Sequence, residues 1–186
     1  MITVHMVSSL DGYIAKKDNS IHWFETTSHY ENGVEAENVE AFLKSIDCYV
    51  MGSHTYELAM ELSKTYGWAY GETPTIVLST RHFEDNRPHI KFYSGDLNHL
   101  VKDKLNPNYN HIWLVGGPSL VKDFLRIHQV DEIRQTIIPI LLGDGIPFYQ
   151  SLELERALSL KNVSPYKNGL VELVYEIKKP INQERA

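Results

Sequence analysis

Short apolar runs recur along this chain, and several lead into stretches in which apolar residues repeat at helical spacing. The short runs predict strands, and the periodic stretches predict amphipathic helices. The predicted strands are Met1–Ser8, Tyr13–Ala15, Asp47–Met51, Pro74–Ser79, Ile90–Tyr93, Ile112–Val115, Glu132–Ile138, Ala157–Val163 and Leu170–Ile177. Helices are predicted over Val39–Ile46 and Leu97–Leu105, and two more begin at Ser53 and Pro118. Ile21–Asn32 and Pro139–Phe148 are predicted as loops.

Strands and helices alternate over most of the chain, whereas the last strands follow one another directly. Alternating βα units favour a parallel sheet, and consecutive strands favour antiparallel pairing. We therefore expect an α/β protein of three layers, α/β/α, with a mixed, mostly parallel sheet and antiparallel C-terminal edge strands. The 186 residues suit one domain with a sizeable core, expected over residues 1–178, followed by a frayed tail over residues 179–186.

Four chain reversals at the predicted carboxyl ends of strands carry groups that suit a phosphate-bearing ligand. They are Asp11–Ala15, Gly52–Ser53, Ser79–Arg81 and Gly116–Gly117. Open sheets of this kind bind ligands outside the carboxyl ends of their strands, and helix starts offer free N–H groups to phosphates. Several such sites along one edge favour a dinucleotide. Each reversal taken alone is also compatible with a turn that binds nothing.

Composition narrows the range of partners. A formal charge of −6 without basic runs argues against nucleic-acid binding. No signal peptide or membrane span is predicted, so we expect a cytoplasmic protein. The single cysteine, Cys48, lies in an apolar run and is expected to be a packed thiol. No metal site is predicted, because metal-ligand spacing is absent around His22, His29, His54 and His111.

Two carboxyl groups are candidates for acid–base chemistry. Glu35 lies four residues before Val39 on the same predicted helix face. It either points into a cleft, where its raised pKa would let it protonate a substrate nitrogen, or is a solvated first-turn residue. Asp11 is the second candidate, with a turn hydrogen bond as the alternative. Residues that would either wall a site for a flat heterocycle or pack in the core are Trp23, Phe24 and Tyr149.

Five segments occur in an order that resembles the dihydrofolate reductase superfamily. They are SLDGYIA (Ser9–Ala15), MGSHTYE (Met51–Glu57), TIVLST (Thr75–Thr80), WLVGGPSLV (Trp113–Val121) and TIIPILLGDGIPFY (Thr136–Tyr149). The chain is more similar to the reductase domain of bifunctional riboflavin-biosynthesis enzymes and its stand-alone relatives. The resemblance implies a dihydrofolate reductase-like fold, NADPH as hydride donor and a homodimer. It also implies reduction of a pyrimidine-, pteridine- or ribosylamino-type substrate, as in 5-amino-6-(5-phosphoribosylamino)uracil reductase.

The resemblance also implies roles for individual residues. The nicotinamide would contact Val7, Ile14 and Ala15, and the pyrophosphate would contact Gly52, Ser53, His54 and Thr55. The adenosine and its 2′-phosphate would contact Leu78, Ser79, Thr80 and Arg81. Residues beneath the cofactor would be Val115, Gly116, Gly117, Pro118, Ser119 and Leu120, with a cis peptide between the two glycines. Trp23 and Thr136 would lie on the substrate side, Thr136 where a hydroxyl supports the substrate-binding acid.

Some residues depart from the family pattern. Ser53 stands where dihydrofolate reductases often have an arginine, which leaves Arg81 or Arg87 to supply the charge for NADPH. Tyr13 stands where riboflavin reductases usually have a basic residue, and one cysteine is too few for the zinc site of their deaminase half. The predicted function is NAD(P)H-dependent reduction. The alternatives are dihydrofolate reductase-like activity and a nucleotide-binding module without turnover.

Overall fold

The computed structural model describes residues 1–35, 37–153 and 155–178, and of residues 37–40 it describes the backbone only. The strands are β1 (Ile2–Ser9), β2 (Tyr13–Ala15), β3 (Cys48–Gly52), β4 (Thr75–Leu78), β5 (Ile90–Tyr93), β6 (Ile112–Gly116), β7 (Glu132–Ile138), β8 (Ile146–Pro147), β9 (Leu158–Pro165) and β10 (Val171–Ile177). The helices are α1 (Glu37–Ser45), α2 (Ser53–Tyr66), α3 (Leu97–His99, continued by π-helical turns over Leu100–Leu105) and α4 (Pro118–Arg126), with a 3₁₀ turn at His22–Glu25. The predicted tail over residues 179–186 lies outside the described residues.

An eight-stranded sheet runs in the order β5-β4-β3-β6-β1-β7-β10-β9. Its strands from β5 to β7 are parallel to their neighbours, with β1 between β6 and β7. β10 is antiparallel to both β7 and β9. The mostly parallel sheet with antiparallel C-terminal edge strands is thus confirmed. The carboxyl ends of the parallel strands share one edge of the sheet.

The hydrophobic core has two parts, one on each face of this sheet. Val4 and Met6 point to the face covered by α3 and α4, where they pack in one cluster with Phe124. The other face is covered by α1 and α2, and there Tyr56 packs in a second cluster with Met51. Helices on both faces bury a parallel sheet completely, which explains the continuous apolar runs in β3 and β4. The three-layer arrangement follows from these contacts.

Cys48 lies in the first of these clusters with no exposed surface. Burial raises the pKa of its thiol to about 12, so the thiol stays protonated near neutral pH. The interpretation of Cys48 as a packed thiol is confirmed. None of the helices in the described ranges has the length and apolar character needed to cross a bilayer.

The predicted loop Pro139–Phe148 contains a short strand, β8, which pairs with β2 in antiparallel fashion. Ala15 lies opposite Ile146 in this pair. Gly145 permits the close approach, because a Cβ atom there would lie 2.3 Å from the carbonyl oxygen of Ala15, at a φ of +157°. A strand of 2 residues carries too little periodicity to be recognised in the sequence.

Candidate active site

The carboxyl ends of β3 and β6 lie side by side at a point where the chain leaves the sheet toward opposite faces. α2 follows β3 on one face and α4 follows β6 on the other. Such a divergence forms the crevice in which open α/β sheets bind ligands. A Cβ atom at Gly52 would lie 3.8 Å from the carbonyl oxygen of Gly116, and one at Gly117 would lie 3.6 Å from Thr55 Oγ1. Two turns that are distant in sequence therefore meet at one place, as expected.

The groups that these two turns offer to a ligand are mainly backbone N–H groups. Gly52 and Gly117 are the N-cap residues of α2 and α4, and neither helix start has a side-chain cap among the described residues. Pro118 occupies the first turn of α4, where the missing N–H costs nothing. The Gly116–Gly117 peptide is cis, as the resemblance implied. Gly116 has a φ of +119°, a conformation that favours glycine. The arrangement leaves unpaired N–H groups and two helix dipoles for an anion.

The residues expected around a nicotinamide lie at the β1 side of this crevice. Val7 is in the carboxyl half of β1, opposite Thr136, and Ala15 is buried in β2. Ile14 packs against the core cluster on the α4 face. Leu120 also lies in that core, so its side chain is a packing group. Other residues expected beneath or beside the pyrophosphate are at least partly accessible to solvent. They include Ser53, His54, Val115, Pro118 and Ser119.

The residues expected around the adenosine lie on the other side of β3, at the end of β4. Leu78 is opposite Gly52, and Ser79 Oγ accepts a hydrogen bond from the Arg81 amide at 2.9 Å. Thr80 is exposed. The Arg81 guanidinium donates two hydrogen bonds of 2.8 Å, one to each carboxylate oxygen of Glu57. The charge expected for a 2′-phosphate is therefore already paired with a carboxylate.

Arg87, the other arginine considered for that charge, is held more firmly. Its Nε donates to Asp85 Oδ1 at 2.9 Å, and its guanidinium lies 4.1 Å from the ring centre of Trp68. The Asp85 carboxylate is 5% exposed. Because the ion pair is partly buried and the guanidinium stacks on an aromatic ring, Arg87 serves packing around α2 rather than the crevice.

Asp11 makes a set of turn hydrogen bonds. Its carboxylate accepts from the Ser9 hydroxyl and from the amides of Leu142 and Gly143. The Ser9 hydroxyl and then the two amides hold the pKa of Asp11 below its usual range. A carboxyl group stabilised as the anion is a poor proton donor near neutral pH. The turn hydrogen bond given as the alternative for Asp11 is observed, and its role as an acid stays a prediction.

Glu35 also differs from the expectation. It precedes α1, its side chain is 66% exposed, and it pairs with Lys167 in the β9–β10 connection. The backbone fixes this position, because the Val34 amide donates to Pro165 O at 2.8 Å and the Lys167 amide donates to Val34 O at 3.1 Å. The prediction of an inward-facing carboxyl group at Glu35 is wrong. The loop before α1 is attached to the hairpin, which turns Glu35 toward solvent.

The two residues expected on the substrate side are both shielded from solvent. Trp23 is 6% exposed and packs edge-on against Phe24 at 4.6 Å between ring centres. Its indole N–H has no hydrogen-bond partner among the described residues. Thr136 is 9% exposed, and its hydroxyl lies 3.3 Å from Nε2 of His5.

A buried polar cluster around Thr136 was missed by the sequence analysis. It is formed by His5 on β1, Arg134 and Thr136 on β7, and Glu172 on β10. His5 Nε2 lies 4.0 Å from Glu172 Oε2, and Arg134 Nη1 lies 3.6 Å from Glu172 Oε1. Phe42 of α1 packs edge-on against the His5 ring at 4.9 Å. The signal in the sequence was a histidine between the apolar Val4 and Met6 of a predicted strand.

Burial sets the protonation of this cluster. It lowers the pKa of His5 to about 3, with the Arg134 charge acting in the same direction. Burial raises the pKa of Glu172, and the Arg134 charge partly opposes that change. Glu172 thus has the burial and the raised pKa that were expected for Glu35. No group of three His, Cys, Asp or Glu side chains suited to a metal ion occurs within the described ranges.

The fold and the glycine-lined crevice define the class of dihydrofolate reductase-like α/β proteins. A family model described as the RibD C-terminal domain matches residues 1–172, so the chain belongs to that family. It is 30% identical over 173 residues to the uncharacterised protein YwjB of Bacillus subtilis (strain 168), covering 92% of this chain and 95% of YwjB.

Two solved structures extend this comparison. A putative riboflavin biosynthesis protein from Shewanella sp. PV-4 superposes with a TM-score of 0.81 at 28% identity, over 96% of this chain and 99% of that one. A dihydrofolate reductase from Enterococcus faecalis, solved with NADP(H), superposes with a TM-score of 0.58 at 17% identity, over 96% and 97%. The second likeness shows the fold alone. The family match and the first neighbour support a riboflavin-pathway-like reductase family for this chain.

Proposed function

We propose that this protein is a NAD(P)H-dependent reductase of a pyrimidine- or pteridine-type heterocycle or a ribosylamino compound. The activity would resemble that of 5-amino-6-(5-phosphoribosylamino)uracil reductase, in the cytoplasm. The observation that carries the proposal is the contact between the Gly52 and Gly117 turns, which begin two helices without side-chain caps among the described residues. Unpaired backbone amides beside a glycine-lined gap fit a pyrophosphate.

The proposed hydride donor is NADPH, as the resemblance implies. When bound, it would supply a hydride to a C=N or C=O carbon of the substrate. The Gly52–Thr55 and Gly116–Gly117 segments would hold the pyrophosphate, and the end of β1 would orient the nicotinamide. Arg81 is the proposed partner of the 2′-phosphate.

Glu172 is the proposed source of the proton. Its raised pKa favours the protonated acid at a higher pH than an exposed glutamate allows, and Arg134 lies close enough to stabilise the anion left after proton transfer. His5 and Thr136 lie beside it as orienting groups. His5 Nδ1 is buried without a hydrogen-bond partner among the described residues, which suits a polar atom of a heterocyclic substrate.

A nucleotide-binding module without turnover is the second candidate. It is favoured by the exposed position of Glu35 and by the paired state of Arg81. The two functions differ in one measurement, the oxidation of NADPH in the presence of candidate heterocycles.

The test measures NADPH and NADH binding by calorimetry and then their oxidation spectrophotometrically with pyrimidine, pteridine and ribosylamino substrates. We expect saturable binding and substrate-dependent oxidation. Binding without oxidation across the panel would favour the second candidate, and absence of binding would refute both. Oxidation of NADPH with dihydrofolate, inhibited by methotrexate, would instead identify dihydrofolate reductase-like activity.

A second copy of the chain is proposed as partner. β9 is an edge strand, and three of its apolar side chains face solvent, namely Leu158 at 40%, Leu160 at 55% and Val163 at 47% exposed. An apolar edge strand left in water invites pairing with another chain, so this surface suits a homodimer interface.

A further inference from the structure

The Glu57–Arg81 ion pair occupies the adenosine end of the proposed cofactor site. It is bidentate, with both N–O distances at 2.8 Å, and the side chains of Arg81 and Glu57 are 49% and 44% exposed. A guanidinium fork binds a carboxylate and a phosphate with the same pair of N–H groups. A 2′-phosphate that approaches Arg81 therefore competes with Glu57 for those donors.

The position of the pair along the sheet supports this competition between Glu57 and a 2′-phosphate, which rests on the proposed function. Glu57 is on the second turn of α2, just after the Ser53 helix start, and Arg81 follows β4. β1 and β4 are separated by β6 and β3, which places their ends about 14 Å apart at the usual strand spacing. A dinucleotide with its nicotinamide at β1 and its pyrophosphate at β6 and β3 brings its adenosine ribose to the end of β4.

The described residues around this end offer no equivalent substitute for Arg81. Arg87 is bonded to Asp85 and stacked on Trp68. Position 53, at the start of α2, carries a serine, whose hydroxyl brings no charge. The balance between a carboxylate and a phosphate at Arg81 therefore decides how strongly the extra phosphate of NADPH is bound.

We propose that Glu57 is the residue that sets the choice between NADPH and NADH. It holds the Arg81 fork and repels a 2′-phosphate, while its carboxylate accepts a hydrogen bond from the 2′-hydroxyl of NADH. Acidic residues that bind this hydroxyl select NAD over NADP in other dinucleotide sites. The protein therefore uses both cofactors, because Glu57 weakens the advantage that Arg81 gives to NADPH.

The test compares dissociation constants for NADPH and NADH, by calorimetry, in the wild type and in Glu57→Gln. Glutamine keeps the length of the side chain and removes its charge. The wild type should bind the two cofactors within about tenfold of each other, and Glu57→Gln should raise the preference for NADPH by about tenfold. Glu61→Gln, on the next turn of α2 and paired with Lys64, is the matched control and should leave the ratio unchanged.

A second variant identifies the phosphate partner. In Glu57→Gln/Arg81→Gln the gained preference for NADPH should disappear, and 2′-AMP should lose its advantage over AMP as a fragment probe. A wild-type preference for NADPH above about a hundredfold, or a ratio unchanged by Glu57→Gln, would overturn the inference while leaving the reductase proposal intact. Failure of the wild type to bind either cofactor would overturn both.

Discussion

Two glutamates of this chain, Glu172 and Glu35, differ in how far their side chains are buried. Glu172 is 2% exposed and lies beside His5 and Arg134, whereas Glu35 lies in solvent beside Lys167. The same carboxyl chemistry therefore meets two different environments. Burial raises the pKa of Glu172, which favours its protonated form.

We predict that Glu172→Gln lowers kcat by about a hundredfold, because general acids commonly contribute that much or more. The sign of the pH effect follows from the raised pKa of Glu172. The acid is protonated below that pKa, so wild-type kcat should fall as pH rises through it. The variant should lose this limb of the pH profile, which a purely structural role would not change.

Glu35→Gln is the matched control for this experiment, since it makes the same chemical change at the exposed carboxyl group. Its kcat should stay within about twofold of wild type, as expected for a surface ion pair. A larger loss in Glu35→Gln than in Glu172→Gln would contradict the assignment. Cofactor affinity of both variants, measured separately, reports whether the crevice is intact.

At the scale of elements, the short β2–β8 ribbon fixes the segment that carries Ile14 and Ala15. Asp11 bonds the amides of Leu142 and Gly143, and the Phe148 amide donates to Gly12 O at 2.8 Å. These bonds join the β1–β2 turn to the connection after β7. The ribbon is therefore held by hydrogen bonds to the Asp11 carboxylate and between the two backbone segments.

Gly145→Ala should disrupt this ribbon, because its Cβ atom would lie 2.3 Å from the carbonyl oxygen of Ala15. We expect the free energy of unfolding to fall by about 3 kcal/mol in urea titrations. Gly143→Ala is the matched control, since Gly143 has a φ of +77° with nothing within 4 Å of its Cβ position. It should cost about 1 kcal/mol from backbone strain alone. Equal losses in the two variants would argue against the contact with Ala15.

At the scale of the whole molecule, the sheet ends in an antiparallel edge strand, β9. β9 pairs with β10 on one side, is bonded to Val34 only at its Pro165 end among the described residues, and exposes Leu158, Leu160 and Val163. The parallel part of the sheet is covered by helices on both faces. The crevice and the proposed dimer surface therefore lie in different parts of the fold.

Leu160→Glu should convert a dimer into a monomer, because a charge at the centre of an apolar interface leaves an unpaired buried group. Sedimentation velocity of the wild type and the variant measures this directly. Leu10→Glu, at a leucine that is 65% exposed on the β1–β2 turn, is the control and should leave the dimer unchanged. A monomeric wild type, or a Leu160→Glu variant that stays dimeric, would rule out this interface.

The sequence by itself determined the strands other than β8, the helices and their order, because alternation and helical spacing are local properties of the chain. It also determined that glycine turns and helix starts would gather at one edge, since parallel strands end on the same side. The resemblance of its motifs added the cis Gly116–Gly117 peptide and the family.

The tertiary structure decided which carboxyl group is buried and with which carboxylate each arginine is paired. No local pattern showed whether Glu35 or Glu172 is the buried carboxyl group. The attachment of Val34 to the hairpin exposes Glu35, and the packing of β7 against β10 buries Glu172. Arg81 was visible in the sequence, whereas its partner Glu57 lies 24 positions away on another element. Burial and pairing arise from contacts between distant segments, so no local pattern could have revealed them.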